Sequence, residues 1–344
     1  MLRGLAALAV VIHHIAGYLK ETHHLSIFHN YGRIGFAGVD LFFVISGFII
    51  HFTSKSYLNN PSKLGEYWKK RLIRVYPIYW IVTIGIFIVQ FVLPILNKSA
   101  ALNTGYPMEV SAFLKTFTLF PVHFAINPVS WTLSFELFFY LMFSLLIISK
   151  RLWVIPACVL IFSGWHTFVE QYQHLHFGYN YYNFFFSSYN IEFFLGYLLF
   201  IVYDKNLLSL PTWVAWIGVL ASIFVVVRTG YGVIDGDYYK RFLSFGLPSV
   251  ILLYSLLQLE ERQQLSIHPF FIILGDASYI IYLIHFPMIF FMNKVLLLVN
   301  IHLTNQGLVY YSYFIGLAVV GVGILLHKKL EVPMNTYLMK LTIK

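Results

Sequence analysis

The sequence predicts an all-α polytopic membrane protein of about ten transmembrane helices, with both ends on the cytoplasmic side. Composition is the first of three observations behind this. The 344 residues are 59% hydrophobic and 11% charged, whereas soluble domains carry roughly 25% charged residues. A soluble fold of this length has too little interior to hide so much apolar surface. Second, aromatic residues make up 19% of the chain, and Tyr and Trp favour the membrane interface, where one end is wet and the other apolar. Third, apolar runs recur near 4–19, 34–52, 76–96, 131–149, 152–168, 189–203, 211–228, 242–258, 272–295 and 307–326. A spanning helix needs about 20 such residues, and the first and sixth runs are short.

The loops set the orientation through their Lys and Arg content. With the N-terminus inside, the cytoplasmic side holds Arg3, Lys55, Lys63, Lys69, Lys70, Arg71, Arg74, Lys150, Arg151, Lys205, Arg262, Lys328, Lys329, Lys340 and Lys344. The outside holds Lys20, Arg33, Lys98, Lys115, Arg228, Lys240, Arg241 and Lys294. Fifteen against eight favours both ends inside. The first run reads as a span and not as a cleaved signal, because no small-residue cleavage site follows it. The chain reads as a single membrane domain, 1–344, with no internal repeat or low-complexity tract. The net charge of +9 does not point to nucleic acid, since the cations sit between apolar runs and form no solvated patch. With Cys158 alone, no intramolecular disulfide can form.

Ionisable residues inside spans are costly, and they usually face the bundle interior and serve a purpose. The first span carries Arg3 and His14, eleven residues apart. At about 100° per residue they share a face, about 16 Å apart along the axis, with Arg3 at the cytoplasmic edge and His14 deep. An edge arginine can hold an anionic donor, and a deep histidine can take a proton from a hydroxyl. A snorkelling arginine and an inter-helix histidine bond fit the spacing equally well. His13 faces about 100° away and reads as packing.

The second span places Asp40 and Gly47 on one face, with Ser46 beside them. Asp40 either orients His14 or pairs with an arginine; a polar contact that only packs helices also fits. Ahead of the third span, Arg71 and Arg74 share a helical face. Their bidentate forks suit phosphate, so a nucleotide-bearing donor such as coenzyme A fits them, as does anionic lipid. The fourth span opens Trp131-Thr132-Leu133-Ser134-Phe135-Glu136, and Glu136 is either a proton acceptor or an arginine's partner. The sixth span carries Glu192. In the ninth, Ser278, Tyr282 and His285 form one stripe, which hydrogen bonding between helices also explains. His174 and His176 form an H-x-H pair, but zinc needs three or four ligands, so no metal site is expected. Ser46 and Ser134 lack a Gly-x-Ser-x-Gly elbow, and no Walker loop or dinucleotide fingerprint is present.

Taken together, the segments resemble the bacterial membrane acyltransferase 3 family. The matching segments are Leu2-Arg3-Gly4-Leu5-Ala6-Ala7 running to His14, Gly38 to Phe48, Arg71 to Trp80, Trp131 to Tyr140, and Gly275 to His285. The resemblance extends to the E-x-P at Glu331, Val332 and Pro333. Members usually carry an Asp-Gly before the Leu-Arg-Gly; here Met1 precedes Leu2, as in a truncated or misassigned start. Leu137 stands where members often have a second Glu.

The resemblance implies O-acylation, usually acetylation, of an exopolysaccharide, another surface polysaccharide or a lipid-linked precursor. It implies acetyl-coenzyme A, or another acyl-coenzyme A, as donor substrate and no permanently bound cofactor. Its arginine–ten residues–histidine motif falls on Arg3 and His14, its paired arginines on Arg71 and Arg74, and its Trp-x-x-x-x-Glu segment on Trp131 and Glu136. With the residue reading above, donor phosphates are expected at Arg3, Arg71 and Arg74, and chemistry at His14 with Asp40 or Glu136 fixing its tautomer. Ser46, Trp131, Tyr282 and His285 are expected to line the site. The expected partners are the donor, a carbohydrate acceptor and membrane lipids, with no nucleic acid, in a bacterial inner membrane. A precursor transporter or flippase is the alternative, since buried His, Asp and Glu also make proton relays; no duplicated half supports it.

Overall fold

The computed structural model describes residues 1–26, 32, 34–96, 110–121, 126–169, 181–230 and 238–342. His174, His176, Arg33 and Lys98 lie outside them. The helices are α1 Leu2–His23, α2 Ala37–Ser54, α3 Leu64–Leu96, α4 Val110–Phe117, α5 Trp131–Ile148, α6 Val154–Phe168, α7 Tyr181–Phe185 and α8 Ser188–Asp204. They continue as α9 Thr212–Thr229, α10 Tyr238–Arg241, α11 Leu247–Glu261, α12 Pro269–Asp276, α13 Ser278–Leu298, α14 Asn305–Leu326 and α15 Val332–Thr342. Among the described residues no strand occurs, and ten helical stretches are long and apolar enough to cross a membrane.

Small residues set the register of the central helices. A Cβ on Gly47 of α2 would strike the Phe193 carbonyl, and one on Gly196 of α8 the Val44 carbonyl. The two backbones therefore touch, the close approach that glycine permits between spans. Just before α2 and in its first turn, Gly35 lies on the Ala9 carbonyl and Gly38 on that of Ala6, so α1 and α2 run antiparallel. Around this crossing Phe43, Phe135, Phe139, Tyr189 and Phe193 interlock. The periphery is apolar as well: Phe224 is 67% and Leu317 74% exposed. A bundle apolar inside and out is what lipid demands, with backbone polar groups satisfied within helices.

Three departures from the expected spans bear on the site. Helix α3 begins at Leu64, twelve residues before its apolar run, so Arg71 and Arg74 ride on a rigid helix. The ninth run is two helices, α12 and α13, broken at Ala277, which sets Ser278 at a helix start. Single π-helical turns at Phe242–Gly246 and His327–Glu331 re-aim Arg241 and Glu331; such turns often mark functional sites.

Candidate active site

Polar side chains form a line through the bundle, beginning at the Ser54 end of α2. There Arg71 donates to Thr53 Oγ1 at 2.6 Å and Ser54 Oγ at 2.8 Å. Its guanidinium lies 5.4 Å from the ring centres of both Tyr67 and Tyr140. Lys70 is held by Glu66 at 2.7 Å and by Tyr57 at 2.6 Å. Thr53, Ser54, Tyr57, Tyr67, Lys70 and Arg71 line a cleft of about 260 Å³ with Arg74, Asn335 and Met339.

Tyr140 leads inward from Arg71, its hydroxyl donating to Glu136 Oε1. Glu136 lines a small cavity, about 40 Å³, with Arg3, Ser46, Thr132, Ser278 and Tyr282. That is room for a water or two. Arg3 Nε donates to Ser278 Oγ at 3.3 Å. Arg3 and Arg74 lie within electrostatic reach of each other and of Glu136 and Glu331. Among the described residues, neither arginine has a carboxylate within the 4 Å of an ion pair.

Arg3 does not lie level with Arg71 at the Ser54 end of α2. Its guanidinium is 5.8 Å from the Phe42 ring, twelve residues, or about 18 Å, from the Ser54 end of α2. The reason is the register: Ala6 packs on Gly38, so α1 starts beside the middle of α2.

Beyond the cavity, Tyr282 Oη donates to the Val129 carbonyl at 3.2 Å and lies 3.1 Å from Thr132 Oγ1. One turn further, His285 sits with its ring 5.0 Å from that of His14. His285 Nδ1 is 2.6 Å from the Tyr282 carbonyl. A carbonyl only accepts, so this nitrogen carries the proton and Nε2 keeps a lone pair. Nε2 is buried and, among the described residues, has no hydrogen-bond partner. Phe286 packs edge-on against His14 at 5.3 Å, while His13 stacks on Phe36 at 5.1 Å.

Asp40 does not reach His14. It accepts from Arg241 Nε at 3.0 Å and from an Nη at 2.6 Å, and both side chains are buried. Of the two expectations for Asp40, the arginine pair is the one observed. Arg241, counted from sequence among the outer-loop charges, is only 3% exposed and lies 3.9 Å from the Phe36 ring centre. The buried Glu192 carboxyl lies against the Asp40 carboxyl and its partner Arg241. Trp131 packs on Tyr189 at 5.4 Å and Phe43 at 6.3 Å and is not among the residues lining the small cavity.

Sequence reasoning passed over Thr132, Arg241 and His327, and noted Glu331 only as a motif. His327 holds Glu331 at 2.8 Å. Their four-residue spacing was the available signal. Among the described residues no three His, Cys, Asp or Glu side chains form a group able to hold a metal.

The profile of the acyltransferase 3 family, described as an acyltransferase domain, matches residues 1–328. The chain belongs to this family. It is 33% identical over 141 residues to the exopolysaccharide production protein ExoZ of Rhizobium meliloti, covering 40% of each chain. It is 26% identical to the putative acetyltransferase ORF330 of Acidianus two-tailed virus, over 83% of this chain and 81% of that one. It is 27% identical to the O-acetyltransferase OatA of Staphylococcus aureus, over 85% of this chain and 50% of OatA. The chain therefore spans half of OatA and less than half of ExoZ. No solved structure matches it. Family membership makes the line of polar residues the candidate path of an acyl group.

Proposed function

We propose that this acyltransferase-family protein takes an acyl group, acetyl first, from cytoplasmic acyl-coenzyme A to a carbohydrate hydroxyl on the far side of a bacterial inner membrane. The acceptor is a surface or exported polysaccharide or its lipid-linked precursor. One observation carries this: polar side chains recur in steps from the Arg71–Arg74 cleft, through the Glu136 cavity and Tyr282, to the His14–His285 pair. The distance from Ser54 to Gly35, which lies on His13, is nineteen residues, or about 28 Å of helix. That matches a hydrocarbon core of about 30 Å. Polar groups at such depth are costly unless they serve a path. The names of OatA and ExoZ, an O-acetyltransferase and an exopolysaccharide production protein, support the chemistry and the acceptor class.

In this reading the donor's phosphates meet Arg71 and Arg74, whose forks suit them. The arm enters toward Arg3 and Glu136, and the thioester comes to lie near Tyr282 and His14. His14 takes the proton of the acceptor hydroxyl as its oxygen attacks the thioester carbonyl; the carbon–sulfur bond breaks and the thiolate leaves with that proton. Alternatively His14 attacks first, and the acyl-imidazole passes its acyl group to the hydroxyl. In both, the lone pair on His285 Nε2 can accept the N–H of His14, which keeps the other His14 nitrogen free for substrate. Such bonds often close only when substrate is bound.

The test uses purified protein in lipid nanodiscs with isotope-labelled acetyl-coenzyme A, and mass spectrometry of the cell's surface polysaccharide. Transfer by wild type and none by His14→Ala is the expected result. No donor turnover, together with saccharide movement across vesicles, would replace this reading with that of a transporter.

A further inference from the structure

We infer that the cleft at the Ser54 end of α2 reads the base of its ligand, and that Asn335 selects adenine. This rests on the acyl-coenzyme A reading above, and it adds a recognition subsite outside the matched residues 1–328. Asn335 belongs to α15, whose last turn is tied to α3 by Lys69 Nζ donating to the Thr342 carbonyl at 3.2 Å. It lines the cleft with Tyr57, Tyr67 and Met339. Its Oδ1 is buried and, among the described residues, has no hydrogen-bond partner.

Buried polar atoms are nearly always paired, so an orphan in a ligand-sized cleft marks a place where a ligand donates. An asparagine amide presents an acceptor beside a donor. Adenine offers the complement, an amine donor at N6 beside an acceptor at N7, and the pair forms two bonds. Guanine shows two acceptors on the same edge and leaves the amide oxygen unpaired. The volume agrees. At about 260 Å³ the cleft has room for a bicyclic base. Arg74, with no carboxylate in pairing range, and Arg71 then flank the base where phosphates attach. Lys70 is already engaged by Glu66.

Calorimetry on the purified protein compares coenzyme A with its hypoxanthine analogue, in which a carbonyl replaces the N6 amine. Wild type should bind coenzyme A about five- to a hundred-fold more tightly, the range of a two-bond base contact. Asn335→Ala should lose that preference, and Asn335→Gln should keep part of it, with melting and gel-filtration profiles unchanged. Equal binding of both ligands by wild type, which needs no variant, overturns the inference and leaves the donor reading standing. So does a preference that survives in Asn335→Ala. If wild type binds neither ligand, the donor reading itself fails and takes the subsite with it.

Discussion

The imidazoles of His14 on α1 and His285 on α13 lie 5.0 Å apart, inclined by 38°. The Tyr282 carbonyl fixes the tautomer of His285 and turns a lone pair into the buried space beside His14. His285, and not Asp40, is thus the polar side chain placed beside His14.

If His285 orients His14, the two histidines should fail differently. His14→Ala should abolish acyl transfer. His285→Ala should lower kcat about 10²–10⁴-fold, the usual contribution of acid–base machinery, with donor KM little changed. Steady-state kinetics with acetyl-coenzyme A reads both. A rise in KM without a fall in kcat would assign His285 to binding instead.

The Asp40–Arg241 pair should govern folding more than chemistry. Removing one partner of a buried ion pair leaves an uncompensated charge and costs about 3–5 kcal/mol. Arg241→Met should therefore lower the melting temperature in detergent sharply. Asp40→Leu with Arg241→Met should recover most of the loss, since apolar replacement of a whole buried pair is often neutral. Failure of the double variant to recover would show that the pair does more than hold α2 to the segment before α11.

Arg71 and Arg74 are three residues apart and differ in engagement. Arg71 is bonded to Thr53 and Ser54, while Arg74 has no carboxylate in pairing range. Arg74→Ala should raise the KM for acetyl-coenzyme A about tenfold or more, because charge-assisted bonds to phosphate are worth about 1.5–3 kcal/mol. Thermal stability should hold. Arg71→Ala should raise KM and lower the melting temperature together.

The α2–α8 crossing should tolerate no side chain. A methyl on Gly47 meets the Phe193 carbonyl, and overpacking of this kind costs about 1–3 kcal/mol. Gly47→Ala should melt earlier than wild type, while Gly164→Ala, where an added Cβ meets nothing within 4 Å, should not.

Legibility from sequence followed the range of the interaction. The spans were visible because a bilayer imposes length and apolarity locally. The Ser278–Tyr282–His285 stripe was visible because helical spacing is local too. Asp40's partner was not, since Arg241 lies 201 residues away at the edge of a run, where a loop count absorbs it. Arg3's depth was hidden for a related reason. Spacing places Arg3 and His14 on one face, but the glycine contacts with α2 decide how far along the bundle that face is set. The break at Ala277 follows Gly275-Asp276, and the π turn His327–Glu331 carries two lysines and a glutamate, signals that a search for apolar runs alone passes over; only the turn at Phe242–Gly246 lies within an apolar stretch.

Orientation decides whether this path can work as proposed. If both ends lie inside, the Arg71 cleft faces the cytoplasm, where acyl-coenzyme A is made, and His14 lies toward the acceptor. The exposed Cys158 gives a simple background, Cys158→Ser, for two reporters. Ser62→Cys sits in the 3-10 turn Pro61–Lys63 beside the cleft, and His302→Cys lies between α13 and α14. Both positions are exposed. An impermeant maleimide added to intact cells should label His302→Cys alone, and permeabilisation should expose Ser62→Cys as well. The reverse pattern would place the cationic cleft outside, beyond reach of a cytoplasmic thioester. The donor would then have to be an extracytoplasmic anion, and the direction of transfer would invert.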